Sequence, residues 1–245
     1  MILIDKKIQK IQHIRERLLW EMKEGMFAQC ERLPRETMLS EKLGISRTQL
    51  RDALAALEQE GYITRRLGVG TMINRHVLNV KSRMDIETEL LDVILNNGYK
   101  AQMHFFSARE EKAEGVIAQK MEISEGTPIL AISKVCTADG KPALYFQDFL
   151  DKRMIQKEYS EEDLKVPVFE FLREKCDTSA YMDLTQLRAV AADEEVASIL
   201  EVPLGTPLLS MEEVDYNIEG NIVFYSRQFF KGGMFEQTVL RKRLY

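Results

Sequence analysis

The sequence predicts a two-part α+β chain. A basic helical head closed by a small hairpin is followed by a larger acidic body built twice on one plan. Three observations carry this. Residues 33–73 show apolar residues at helical spacing, broken by glycines and ending in two short strand-like runs. Residues 118–130 and 197–209 share a motif at an offset of 79. The formal net charge of −5 is unevenly divided: residues 1–81 hold 15 Lys+Arg and 10 Asp+Glu, whereas residues 82–245 hold 19 and 29. A length of 245 residues leaves room for two modest domains with cores of their own.

The first element is a helix over residues 7–24. Ile8, Ile11, Ile14, Leu18 and Leu19 recur three or four apart, and Gly25 closes it. Trp20, the one tryptophan, is expected in a core or an interface. Met38, Leu39 and Leu43 then mark a short helix that Gly44 breaks. Ser46 with Gln49 three residues on has the form of a capping box, and Leu50, Ala53, Leu54 and Leu57 give the helix behind it one apolar face. After Gly61, two short strand-like runs flank Leu67-Gly68-Val69-Gly70, which reads as a hairpin.

Helix, glycine turn, helix and hairpin make a winged helix-turn-helix. Its second helix enters the major groove of DNA and presents its first residues to base edges. Here those residues include Arg47, Thr48, Gln49 and Arg51. Arg grips guanine through two hydrogen bonds and Gln grips adenine in the same way. One exposed arginine would be an ordinary solvated charge; the pattern as a whole points to DNA. The basic head on an acidic body agrees, because it confines phosphate attraction to one end.

The stretch L-P-x-E, then L-G-I-S-R-T-x-L-R-D-A-L-x-x-L-E-x-E-G-Y and R-R-x-G-x-G-T, resembles the GntR family of bacterial transcription regulators. The resemblance implies operator contacts from Arg47, Thr48, Gln49 and Arg51, with the wing at Gly68 and Gly70 approaching the backbone or minor groove. Arg35 stands where the family often has a capping Ser, Thr37 where it often has Arg, and Gln49 where Thr or a small residue is commoner. Arg35 is taken as a substitute for the missing contact at Thr37.

The head is placed at residues 1–76 and a linker at 77–84, with Lys81 and Arg83 as candidate phosphate neighbours. Residues 85–245 form the body. Both copies of its repeat carry G-T-P followed by an apolar run. Helix, strand, helix, hairpin are expected at 86–97, 100–110, 113–121, 129–138 and 142–150, and again at 168–176, 181–191, 194–200, 208–217 and 222–230. Asp139-Gly140 and Glu219-Gly220 supply the hairpin turns. Six strands in two such units make a mostly antiparallel sheet. The strands at 142–150 and 222–230 are expected to offer edges to a second copy.

G-T-P-I-L-A-I-S-K-V-x-x-A-D-G-K-P, the second G-T-P-L-L and Y-S-R-Q-F-F resemble the UTRA effector-binding domain. That resemblance points to the HutC branch of the GntR family. It implies a chorismate-lyase-like fold, a metabolite pocket and a homodimer. Charged or polar residues on apolar strands are the pocket candidates: Lys134, Asp148, Arg188, Tyr225 and Arg227. Sugar-phosphate-binding members of this branch tend to have R-x-R where this chain has Lys134-Val135-Cys136. The expected effector is polar or anionic, with its negative end near the start of the 86–97 helix.

The cysteines Cys30, Cys136 and Cys176 are odd in number, without C-x-x-C, and suit a reducing cytoplasm. Three scattered His give no metal spacing, and no apolar run is long enough to span a bilayer. No nucleophile–base pair or phosphate loop is apparent, so no cofactor and no catalytic residue are expected. The reading is a cytoplasmic, sequence-specific repressor. It binds two-fold-symmetric double-stranded DNA and responds to a metabolite. An effector-independent DNA binder and a chorismate-lyase-like enzyme are the alternatives.

Overall fold

The computed structural model describes residues 2–243, with side chains from Lys10 to Arg243; the expected apolar position Ile8 lies outside the described side chains. The chain divides into two compact units, residues 2–88 with 237–243, and residues 89–236.

The first unit opens with α1 (Ile2–Lys23), then α2 (Glu36–Leu43) and α3 (Arg47–Gln59). Gly44 ends α2 in the left-handed region, at φ 67°, where a side chain would be strained. Ser46 caps α3 with the full capping box: its hydroxyl oxygen accepts from the Gln49 amide, and its own amide donates to the Gln49 side chain. Such a cap is worth about 1 kcal/mol. Leu50, Ala53, Leu54 and Leu57 are buried against Leu18 and Met22 of α1 and Leu39 and Leu43 of α2. Each fully buried leucine contributes about 2 kcal/mol. Trp20 is not part of this core. It is 58% exposed, because Leu18 and Met22 take the inward positions of α1.

The wing is β1 (Ile63–Arg66) paired antiparallel with β2 (Gly70–Ile73). Helix α4 (Arg75–Leu78) follows and buries Val77 and Leu78. The Arg75 guanidinium donates to the carbonyls of Met22, Phe27 and Cys30, tying the turn after α1 to the end of the wing. The segment expected as a linker is therefore largely built in. Arg83 is buried: it donates to the Glu60 carbonyl, pairs with Asp85 and lies over the Tyr62 ring, so it is not available to phosphate. Residues 237–242, read from sequence as part of the body, return to this unit. The Met84 amide donates to the Thr238 carbonyl, the Thr238 amide donates to the Ser82 carbonyl, and Lys242 donates to the carbonyls at the end of α3.

The second unit contains α5 (Leu90–Asn96), β3 (Ala101–Lys112), α6 (Gly115–Lys120), β4 (Pro128–Ala138) and β5 (Lys141–Asp151). The plan is then repeated in α7 (Val168–Lys175), β6 (Met182–Ala191), α8 (Glu194–Leu200), β7 (Pro207–Tyr216) and β8 (Ile222–Lys231). The six strands form one antiparallel sheet in the order β3-β4-β5-β8-β7-β6. The repeats thus meet at the β5–β8 pair, which corrects one expectation. These two strands are central and mutually paired, and the open edges belong to β3 and β6.

Both faces of the sheet are covered. On one, α7 packs on Leu130, Ile132, Leu150 and Phe224, and α5 packs on Cys136, Leu144, Phe146 and Phe230. On the other, α6 packs near Ile129, Phe149 and Tyr225, and α8 near Val135 and Tyr145. Equivalent helices of the two repeats therefore share a face. No helix among the described residues is long and apolar enough to cross a membrane.

Candidate DNA-reading helix and a buried polar row

At the start of α3, Arg47 and Thr48 are exposed, and the cap places them at the tip of the helix. Gln49 is half-buried, and its side-chain oxygen already accepts from Ser46, which leaves the amide NH2 as its free donor end. The residue type that serves the cap and the one that reads adenine are the same, and the cap holds the oxygen. Arg51 is exposed and paired with Glu36 of α2 at 2.8 Å, which ties the two motif helices together and raises the arginine pKa. Arg35 precedes α2, is exposed, and makes no cap hydrogen bond. At the wing, Gly68 and Gly70 have φ of 75° and 102°, and Leu67 stands fully exposed at the tip. The sequence reading missed two basic neighbours. Arg66 is exposed on β1, and Arg32 donates to the Val69 carbonyl and bridges to Met72. The R-R before the wing glycines was the available signal for Arg66; nothing local marked Arg32.

In the second unit, strand register sorts the five effector candidates onto two faces. Lys134 lies opposite Phe146, and Asp148 opposite Ile132 and Ser226, all on the face covered by α5 and α7. Arg227, Tyr225 and Arg188 lie on the opposite face. The structure does not bring Lys134 together with Arg188 or Arg227.

On the α5/α7 face, the row Asp148–Ser226–Glu213–Thr185 runs across four strands, with Gln228 and Asp215 on either side of it. These polar groups lie between the footprints of the two helices. Lys134 is 1% exposed and donates to the Val166 carbonyl just before α7. Burial lowers its pKa, and Asp148 opposes that shift. Asp148 accepts from the Ser226 hydroxyl at 2.9 Å through one oxygen; its other oxygen has no partner among the described residues. Gln228 donates to Glu213, and among the described residues its own side-chain oxygen is unpartnered, as is one oxygen of Asp215. Burial pushes Asp148 up to about 6, Glu213 to about 8 and Asp215 to about 9. The neighbouring acids, among them Asp183, act in the same direction on Glu213 and Asp215. The sequence reading missed Glu213, Asp215, Gln228 and Ser226. Strand parity could have grouped them only once the register between strands was known.

The opposite face is charged too, but its charges are largely matched. Glu212 pairs with Lys120 of α6 at 3.3 Å and meets Arg188 at 3.8 Å. Arg227 donates to Gln147 at 3.1 Å and lies over the Phe149 ring. Tyr225 stacks on Phe149, and burial pushes its hydroxyl up to about 12. The start of α5, where an anion was expected, carries Glu89 at its cap position.

Comparison with known proteins agrees with both units. The family described as "Bacterial regulatory proteins, gntR family" matches residues 10–73, and the UTRA domain matches residues 96–236. An uncharacterised HTH-type transcriptional regulator of Rhizobium meliloti is 27% identical over 221 residues, 89% of this chain and 88% of that protein. A protein described as the probable fructoselysine utilization operon transcriptional repressor of Escherichia coli is 22% identical over 235 residues, 94% and 93% of the two chains. Among solved structures, YydK of Bacillus subtilis superposes with a TM-score of 0.77 at 19% identity, covering 95% of this chain and 99% of that one. PhnF of Mycobacterium smegmatis superposes at 0.58 and 18%, with the same coverage.

Proposed function

Because this chain belongs to the GntR family of bacterial regulatory proteins, in the HutC branch that joins a winged helix-turn-helix to a UTRA domain, we propose that it is an effector-responsive repressor. It binds a two-fold-symmetric double-stranded DNA operator as a homodimer and leaves it when a small molecule occupies the polar row between α5 and α7, which on this reading is the effector pit. The observation that carries the DNA half is the pair Arg47 and Thr48, exposed on the capped tip of α3. Arg51, Gln49, Arg35 and the wing at Gly68 and Gly70 complete the interface. Two-fold-related readers of this kind take half-sites about one helical turn apart. The dimer reading is supported by edge strand β6, where Met182, Leu184 and Leu187 are exposed beside unpaired backbone. A DNA-binding role fits a cytoplasmic protein.

The effector half rests on the pit between α5 and α7, with Lys134 and Asp148 as its members from the original set. A ligand alters operator affinity only by favouring one arrangement of the winged units over another, and such couplings are typically about 1–3 kcal/mol. Arg188, Tyr225 and Arg227, on the opposite face, are assigned supporting roles in packing.

Gel-shift titration on a selected operator tests the first half. Arg47→Ala is expected to weaken binding by about 1–3 kcal/mol, the worth of a bidentate base contact. Unchanged affinity in both Arg47→Ala and Arg51→Ala sinks it. A metabolite screen by thermal shift tests the second half. Hits that stabilise the wild-type chain are expected to fail with Lys134→Met and to release operator DNA from the wild-type protein.

A further inference from the structure

We infer that the effector carries a protonated amine, seated against Glu213 and Asp215 at the β7 end of the pit. This rests on the reading of the pit as the effector site and adds the charge of its occupant.

The unpartnered side-chain atoms carry the inference. On this face they are an oxygen of Asp148, an oxygen of Asp215 and the side-chain oxygen of Gln228. Their residues are 2%, 2% and 4% exposed. With the two carboxyls ionised all three atoms are acceptors, so the ligand that complements the ionised face is rich in donors. The unpartnered atoms on the other face are Arg227 Nε, a donor, and the Tyr225 hydroxyl, which can donate or accept, so that face does not share the run of acceptors.

Charge points the same way. On β5, β6 and β7 this face carries four carboxylates, Asp148, Asp183, Glu213 and Asp215, and the ammonium of Lys134 on β4 is the cation set beside them. That ammonium is already directed at the Val166 carbonyl. The repeat makes the imbalance directional. At the offset of 79, Lys134 corresponds to Glu213 and Cys136 to Asp215. The β4 side of the pit is thus cationic or neutral and the β7 side acidic. Without a counter-charge, burial keeps Glu213 and Asp215 protonated at neutral pH. An ammonium replaces those protons and meets the free acceptors with its own N–H groups. Hydroxyl groups beside it suit Gln228, Ser226 and Thr185.

Three small probes of one skeleton test the sign of the charge: 2-aminoethanol, ethylene glycol and glycolate, compared by thermal shift on the full chain at equal ionic strength. The expected result is that 2-aminoethanol raises the melting temperature by about 1–2 °C at concentrations near its Kd, beyond the other two. Glu213→Gln and Asp215→Asn are expected to abolish that rise. Both substitutions mimic the protonated acids, so the folded chain tolerates them, and Arg227→Met on the other face keeps the full response. Stabilisation by glycolate with 2-aminoethanol silent overturns the inference while leaving the pit as the effector site. A response to 2-aminoethanol that survives both Glu213→Gln and Asp215→Asn also overturns it. Silence from all three probes overturns it too, and the metabolite screen against Lys134→Met then decides separately whether the pit reading stands.

Discussion

The two faces of the six-stranded sheet are built from the same strands and each is buried by a pair of repeat-related helices, yet they treat charge in opposite ways. Under α6 and α8, Glu212 meets Lys120 and Arg188, and Arg227 lies on Phe149 with Gln147 beside it. Under α5 and α7, the acids around Lys134 outnumber it, and one oxygen each of Asp148 and Asp215 has no partner among the described residues. A buried ion without a partner costs several kcal/mol, so a packing face matches its charges. A face that leaves them unmatched gives up stability, and binding a complementary molecule restores it. On the function proposed above, the difference separates a structural use of charge from a binding use, although both look alike along any single strand.

The comparison can be broken most visibly by pH. Glu213 and Asp215 have folded pKa values raised to about 8 and about 9, above the ordinary carboxylate range. Between that range and the folded values, the native chain binds more protons than the unfolded one, so stability is lost as pH rises. Asp148, raised to about 6, adds to the loss at its lower end. Lys134, with a lowered pKa, acts in the opposite sense below the ordinary lysine range and offsets part of the loss. Melting temperature is expected to fall on the order of 10 °C from pH 5 to pH 9 in the absence of ligand. Asp215→Asn should flatten the profile. A flat wild-type profile would show that the acids of this face are matched after all.

Next in size is Lys134→Met, which removes the ammonium beside Asp148 and the side-chain donor to the Val166 carbonyl. It is expected to cost about 2 kcal/mol in a denaturant titration. Adding Asp148→Asn should recover much of that, because the charge Lys134 opposed is then gone. Strict additivity of the two substitutions would argue that they do not interact across the pit.

On the matched face, Arg227→Met is expected to cost about 1 kcal/mol, from the ring contact and the Gln147 hydrogen bond. Effector-driven release of operator DNA, followed by gel shift, should be unchanged. A lost response there with stability intact would move the ligand to the other face. Smallest of all is Arg188→Ala. Its guanidinium is more than half exposed and 3.8 Å from Glu212, so a loss of at most about 0.5 kcal/mol is expected, with no change in ligand response.

What the sequence determined alone was local. The Ser46–Gln49 cap, the helix break at Gly44 and the apolar stripe of α3 depend on residues three or four apart, and all appear as read. The repeat and its hairpins were legible for a similar reason: two copies of one pattern each fold through near neighbours. Tertiary structure decided what depends on distant chain. It took Arg83 out of solvent, brought residues 237–242 onto the first unit, and left Trp20 outside the core. Above all it assigned Lys134 and Asp148 to one face and Arg188, Tyr225 and Arg227 to the other. Period-2 alternation groups residues within a strand. When a strand is buried on both sides, as β4 and β5 are, hydrophobicity cannot say which group faces which helix. Only the register between strands from the two repeats, set by the β5–β8 pairing, supplies that information.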